Sequence, residues 1–136
     1  MQIGESSQPI IITSNLLWKD TEINLVAGQQ YHFESQGKWI DGNIPPFIYP
    51  CDADGYKTPW YNLILKLAEG LRRMPQEKWF ALIGSIDQDK NSFFLIGKDN
   101  TRTAPKTGRF YCFANDVIGF YGNNQGHIQL TVTRKT

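Results

Sequence analysis

The sequence predicts an all-β fold, an antiparallel β-sandwich of the jelly-roll or galactose-binding-like kind with one short inserted helix. Three observations point there. The apolar runs are short, and clusters of Gly, Asn and Asp separate them. Several runs alternate apolar and polar residues at period two, as a strand with one wet face does. Only one stretch, around residues 61–73, spaces its leucines at helical intervals. A length of 136 residues suits a single domain, 1–136, and allows a core without disulfide staples.

The elements follow in order. Pro9–Thr13 is β-branched and reads as a strand. Leu16–Trp18 continues apolar, and Lys19–Asp20 reads as a turn. Ile23–Leu25 alternates, Ala27–Gln30 turns, and Tyr31–Trp39 alternates again, with Tyr31, Phe33 and Ser35 inward. Residues 41–59 read as a loop, because prolines this dense forbid a central strand. Leu63, Leu67 and Leu71 then define one helical face, which Pro75 ends; such a stripe is expected to pack inward. Trp79–Ile86 and Phe93–Gly97 are buried strands, Asp99–Thr107 a polar loop, and Gly108–Ala114 and His127–Thr133 the closing strands. The expected core is Trp79, Phe80, Leu82, Ile83, Phe94, Ile96, Phe110, Cys112, Ile128, Leu130 and Val132.

Composition excludes some functions. The formal net charge is +1, and the densest basic group is Arg72-Arg73, so no nucleic-acid footprint is visible. No apolar run is long enough for a membrane span. Met1–Ser6 shows no basic segment leading into an apolar one, so no signal peptide is visible. A cytoplasmic protein is expected, with signal-independent export left open. Cys51 and Cys112 fit no zinc spacing and are expected to be reduced, although a bridge between them stays open. No Ser/His/Asp or Cys/His grouping appears, and His32 and His127 fall on outward strand positions, so the chain is not expected to be an enzyme.

The chemistry concentrates in residues 115–126, Asn-Asp-Val-Ile-Gly-Phe-Tyr-Gly-Asn-Asn-Gln-Gly. One carboxylate, several carboxamides and flexible glycine backbone suit a hard cation such as calcium. In isolation the same residues are good turn formers. Asp52-Ala53-Asp54-Gly55 hints at a second ion but lacks the glutamate an EF-hand needs, and reads first as a plain Asp-Gly turn. Trp39, Trp60, Tyr61 and Trp79 are possible sugar-stacking rings, Trp60-Tyr61 being the pair expected to be exposed. Aromatic residues are more often core.

Several pieces agree in order with one family. Ala81–Ile86, Thr107-Gly108-Arg109-Phe110, Asn115-Asp116-Val117, Gly119 and Tyr121–Asn124 with Gly126 resemble the bacterial galactophilic lectins of the PA-I type. Upstream, Ala27-Gly28, Gly37, Trp39 and Gly42 extend the likeness to about two-thirds of the chain. The resemblance implies a small calcium-dependent β-sandwich that binds carbohydrate, of a galactose-like kind, and forms homo-oligomers. It implies an ion held by the side chains of Asp116, Asn123 and Asn124 and by the backbone carbonyls of Phe120 and Asp41. It further implies ligand contacts from Asp116, Val117 and Asn123. Gln76, Asp54 and Trp60 are the expected contributors from the rim. The family's His-Pro-x-Gln motif is missing; Met74-Pro75-Gln76 is the nearest element and has no histidine. Two functions from different classes are therefore expected: a calcium-dependent carbohydrate-binding module, or a structural or protein-interaction sandwich that keeps the loop only as a turn.

Overall fold

Ten strands pair into two antiparallel sheets in the computed structural model, which describes all residues Met1–Thr136. The larger sheet runs β5 (Phe47–Cys51), β4 (Trp39–Ile44), β10 (Gln125–Arg134), β3 (Gln30–Gln36), β8 (Asp99–Thr103), with β1 (Ile10–Thr13) also pairing on β10. The smaller sheet runs β2 (Lys19–Leu25), β9 (Gly108–Ala114), β6 (Leu82–Ile86), β7 (Phe94–Leu95). Strand β10 is the spine of the larger sheet. Its first residues pair with β4 at Gln125–Ile40 and Gly126–Trp39, and its later ones with β3 at Gln129–Gln36 through Arg134–Tyr31. The last loop therefore opens beside β4.

The core forms between the sheets. Period-two alternation sends Tyr31, Phe33, Ile128, Leu130 and Val132 inward from the larger sheet, against Leu82, Ile86, Phe110, Cys112 and Ala114 of the smaller one. Phe33 meets Phe110 at 5.4 Å between ring centroids and Phe94 at 5.7 Å. Burying one such side chain contributes about 1.5–3 kcal/mol. A second cluster lies on the far side of the smaller sheet, where Ile83 and Phe113 pack with Trp18, Met74, Phe93 and Leu95. That is why every residue of β6 is buried, Gly84 and Ser85 included. All the expected core residues are buried except Phe94, which is partly covered and packs against the core.

The structure departs from expectation in five places. Residues 41–59 include β5 and the end of β4, a hairpin whose turn is Pro45-Pro46. Strand β5 tolerates Pro50 because it lies at the sheet edge, where a missing N–H costs no ladder bond. Asp99–Thr103 is also an edge strand; its polar composition hid it, because neither of its faces is buried. Lys19–Asp20 opens β2 rather than turning the chain, and a register shift between Asp20 and Asn24 breaks the alternation there. Strand β6 begins at Leu82, later than expected, and Trp79 and Phe80 are buried in the segment before it.

The fifth departure concerns the helix. Helix α1 (Leu63–Ala68) is capped by Asn62, whose side-chain oxygen accepts from the Leu65 N–H at 3.0 Å, and passes into a 3-10 turn, Glu69–Leu71. None of its residues is buried, and Leu67 is 85% exposed. The leucine stripe faces water instead of the core. Leu67→Gln is accordingly expected to change unfolding free energy by less than about 0.5 kcal/mol in a denaturant titration, as a surface substitution does. A loss of several kcal/mol would show that the side chain is covered.

Both cysteines are buried free thiols, and burial pushes Cys51 up to about 12.

Candidate functional site

The site forms where β9 ends, β10 begins and β4 passes. Asn115, fully buried, fixes the approach. Its amide nitrogen donates to the carbonyls of Met74 (2.9 Å), Glu77 (3.2 Å) and Lys78 (2.9 Å), and its Oδ1 accepts from the Met74 N–H (2.9 Å). Asp116 follows, and its carbonyl accepts from the Arg73 N–H at 3.0 Å. The chain then crosses Val117–Phe120, makes a 3-10 turn at Tyr121–Asn123 and enters β10 through Asn124. Two glycines make this geometry possible. At Gly126 (φ +79°) a Cβ would press on Trp39 Cα at 3.2 Å, and at Gly42 (φ +90°) it would collide with the Phe47 carbonyl. Each allows backbone to approach backbone beside Asp41.

Asp116 is 4% exposed, and Asp41 is also buried. Burial pushes the Asp116 carboxyl up to about 7 and the charge of Asp41 adds to it, against hydrogen bonds from Asn124 and Val117. Burial likewise raises Asp41, opposed by the hydroxyl of Tyr56, which donates to Asp41 Oδ2. No Lys or Arg side chain pairs with either carboxylate. Two buried acids share a low-dielectric corner without a counter-charge.

Asn124 completes the picture. Its Nδ2 donates to the Ser14 carbonyl at 2.9 Å and to Asp116 Oδ2 at 3.0 Å. Both partners are acceptors, so the amide orientation is fixed. Its Oδ1 is therefore left over, and this buried oxygen accepts from no group in the chain. Asn124 is only 6% exposed. An unsatisfied buried acceptor costs about 1–3 kcal/mol. No group of three His, Cys, Asp or Glu side chains that could hold a metal ion exists, so amide and backbone carbonyl oxygens would have to complete an all-oxygen donor set around the two acids. Such oxygens fit a hard cation, which would neutralise the acids and satisfy the spare amide oxygen.

A cavity of about 160 Å³ opens on these groups. Asp41, Asp116 and Asn123 line it with Val117 and Phe120, and α1 with the turn after it supplies an apolar wall of Ile64, Leu65 and Leu71 beside Trp79. Helix α1 thus shapes the rim of the acidic corner. These apolar residues stay uncovered because they stand over this opening instead of over the core.

The structure brings Asp41, Asp116, Val117, Phe120 and Asn123 around one cavity, with Asn124 buried beneath Asp116. It does not bring the other three expected residues there. Gln76 lines a separate polar depression with Arg72, Glu77 and Lys57. Asp54 Oδ1 accepts from the Lys98 N–H at 2.7 Å, tying the 52–55 turn to the segment before β8. Asp52 Oδ1 accepts from the Asp54 N–H at 2.9 Å, the hydrogen bond of an Asx turn, so both acids of the suspected second ion motif serve the turn. Trp60 is 88% exposed and stands edge-on to Tyr61, away from the cavity walls. Trp39 and Trp79 are core, and Trp39 Nε1 donates to the Phe80 carbonyl at 3.1 Å.

Three participants escaped sequence reasoning: Tyr56, which holds Asp41; Ser14, whose carbonyl orients Asn124; and Asn115, whose role is to clamp residues 74–78. Tyr56 and Ser14 carry no local signal, since their partners are distant in the chain. Asn115 lay inside the recognised motif, and only its task was hidden.

No protein-family model and no curated protein matches the chain. Among solved structures the fold is similar to the EclA N-terminal domain, described as a PllA-like lectin, at TM-score 0.70 and 14% identity, over 95% of this chain and 97% of that one. The chain has an antiparallel β-sandwich fold similar to that of this domain.

Proposed function

We propose that this protein is a calcium-dependent carbohydrate-binding module, a divergent relative of the PA-I type galactophilic lectins. The observation that carries this is the unpartnered Oδ1 of Asn124 beside the uncompensated carboxylates of Asp116 and Asp41. Asp116, Asn123 and Asn124 would hold the ion, with Asp41 close by and the Phe120 carbonyl as a further donor. Calcium, when bound, supplies coordination positions that sugar hydroxyls can share with water. The lectin fold of the structural neighbour supports the same direction. The apolar wall of Leu65, Leu71 and Trp79 favours a sugar that presents a carbon-rich face on the side opposite its coordinating hydroxyls. A galactose-like sugar belongs in the first panel tested.

Isothermal titration with calcium, then with monosaccharides in the presence of calcium, tests the proposal. Asn123→Ala is expected to weaken calcium and sugar together, each by roughly tenfold, on the scale of lost metal-site partners. Asn123 lines the cavity and makes no hydrogen bond that holds the fold. If the variant lost sugar binding with calcium affinity intact, the shared site would be refuted.

A protein-interaction role is favoured by a different observation, the exposed stripe of Leu63, Ile64 and Leu67 next to Trp60 and Tyr61. Thermal melting separates the two. A ligand bound only by the native state raises the melting temperature, so a melt unchanged between EDTA and millimolar calcium selects the interaction role.

A further inference from the structure

A second cavity lies on the outer face of the smaller sheet, around a buried arginine. Arg73 is 8% exposed. Its Nη1 donates to the Leu17 carbonyl at 2.6 Å and to the Tyr121 hydroxyl at 3.1 Å. Its guanidinium lies 3.5 Å from the ring centroid of Phe113 and 4.4 Å from that of Trp18. No carboxylate pairs with it. This buried guanidinium is therefore held by aromatic rings and neutral oxygens alone.

Arg73 also lines a cavity of about 200 Å³ with Trp18, Gln88, Lys90, Phe93 and Ile118. Lys90 adds a second positive charge and makes no ion pair. The acids nearby in sequence are engaged elsewhere. Asp87 and Asp89 face Lys106 at 3.8 and 3.3 Å, and Asp20 pairs with Arg109 at 2.8 Å. The turn that carries Gln88 is itself unusual. Asp87 and Gln88 have φ of +56° and +58°, and the Asp89 N–H closes the turn on the Ile86 carbonyl at 3.1 Å. Consecutive left-handed residues other than glycine cost about 1 kcal/mol or more each, and such strain concentrates at ligand-holding sites.

We infer that this cavity binds a small organic carboxylate. The carboxylate sits on Arg73, whose remaining N–H groups make no hydrogen bond in the chain, with Lys90 and Gln88 at the mouth and the apolar body of the ligand between Trp18, Phe93 and Ile118. Arginine matches a carboxylate with two parallel hydrogen bonds, and the rings that flank it exclude water from them. This cavity is separate from the calcium corner but shares the 116–121 segment with it, through the Arg73 N–H on the Asp116 carbonyl and Arg73 Nη1 on the Tyr121 hydroxyl, so the test is run without calcium.

Benzoate is a suitable probe and benzamide its neutral counterpart. Each is titrated into calcium-free protein at constant ionic strength, following the indole N–H resonance of Trp18, assigned with Trp18→Phe. Benzoate is expected to shift it saturably, and benzamide to bind at least about tenfold more weakly, the 1.4 kcal/mol scale of a charge-assisted pair. Arg73 also cross-links the fold, so Lys90→Gln, an exposed position, carries the mutational arm and is expected to weaken benzoate by roughly threefold or more. Absence of a saturable shift, equal binding of benzamide, or an unchanged benzoate affinity in Lys90→Gln would overturn the inference.

Discussion

Asp116→Ala is expected to abolish calcium uptake, lowering affinity by at least roughly a hundredfold, because even outer partners of a bound metal are worth ten- to hundredfold. Asp116 is the carboxylate to which the rest of the corner is arranged. Its Oδ1 accepts from the Val117 N–H at 2.7 Å and its Oδ2 from Asn124, and its backbone carbonyl anchors Arg73. Native protein at a calcium concentration a hundred times its dissociation constant gains about 2.7 kcal/mol, or about 10 °C in melting temperature for a chain of this size. In Asp116→Ala the melts with EDTA and with calcium should coincide. Asp54→Ala provides the contrast: its carboxylate holds the Lys98 N–H and lies outside the cavity, so the calcium-dependent shift should persist. If Asp116→Ala kept the full shift, calcium would be binding elsewhere.

What the sequence disclosed, and what it withheld, follows from the range of the forces involved. Strands β3, β6, β9 and β10 were legible because each has at least one fully buried face, and burial writes alternation or an apolar run into the residues. Strand β8 has no buried residue and left no such mark; it exists through pairing with β3, from Gln30–Thr103 to Glu34–Asp99. The leucine stripe of α1 misled for the opposite reason. Period 3.6 reports which face is apolar, and does not report what covers it. Here the helix overhangs an acidic corner built by Asp41 and Asp116, both remote from it in the chain.

At the site, Asp116, Asn123 and Asn124 were legible because they are close in sequence and flanked by recognisable strands. Asp41 entered only as a donor of its backbone carbonyl. The structure also buries its carboxylate, restrained by Tyr56, and that second acid changes the electrostatics of the corner. Nothing local in Ile40-Asp41-Gly42 shows this, because the burial depends on the β4–β10 pairing. Gln76 follows from the resemblance through Met74-Pro75-Gln76 and lies in a separate depression, and Asp54 follows from an Asp-x-Asp-Gly fragment that the structure uses as a turn. In the sequence Arg73 is only half of a weak basic pair, yet the fold buries it.

The acidic corner also makes the calcium-free protein pH-sensitive in an uncommon direction. The Asp116 carboxyl is raised from 3.8 to about 7, chiefly by burial and then by Asp41. Below about pH 4 the group is protonated in both folded and unfolded chains and has no effect on their balance. Between about pH 4 and 7 the unfolded chain releases the proton and the folded chain keeps it, so stability falls as pH rises. Above pH 7 the loss is complete, roughly 4 kcal/mol, because each tenfold gain in proton affinity is worth about 1.4 kcal/mol. Asp41 is raised in the same direction and adds to the loss. Calcium reverses the sign, because metal binding competes with the proton and strengthens as the carboxylates ionise. Urea denaturation from pH 5 to 8 should therefore give two diverging curves, falling in EDTA and level or rising in calcium. Asp116→Asn, which cannot ionise, should lose most of the fall in EDTA and with it the divergence. A wild-type curve in EDTA that rises through this window, or a slope that Asp116→Asn leaves untouched, would mean that the two carboxylates are not held together out of water.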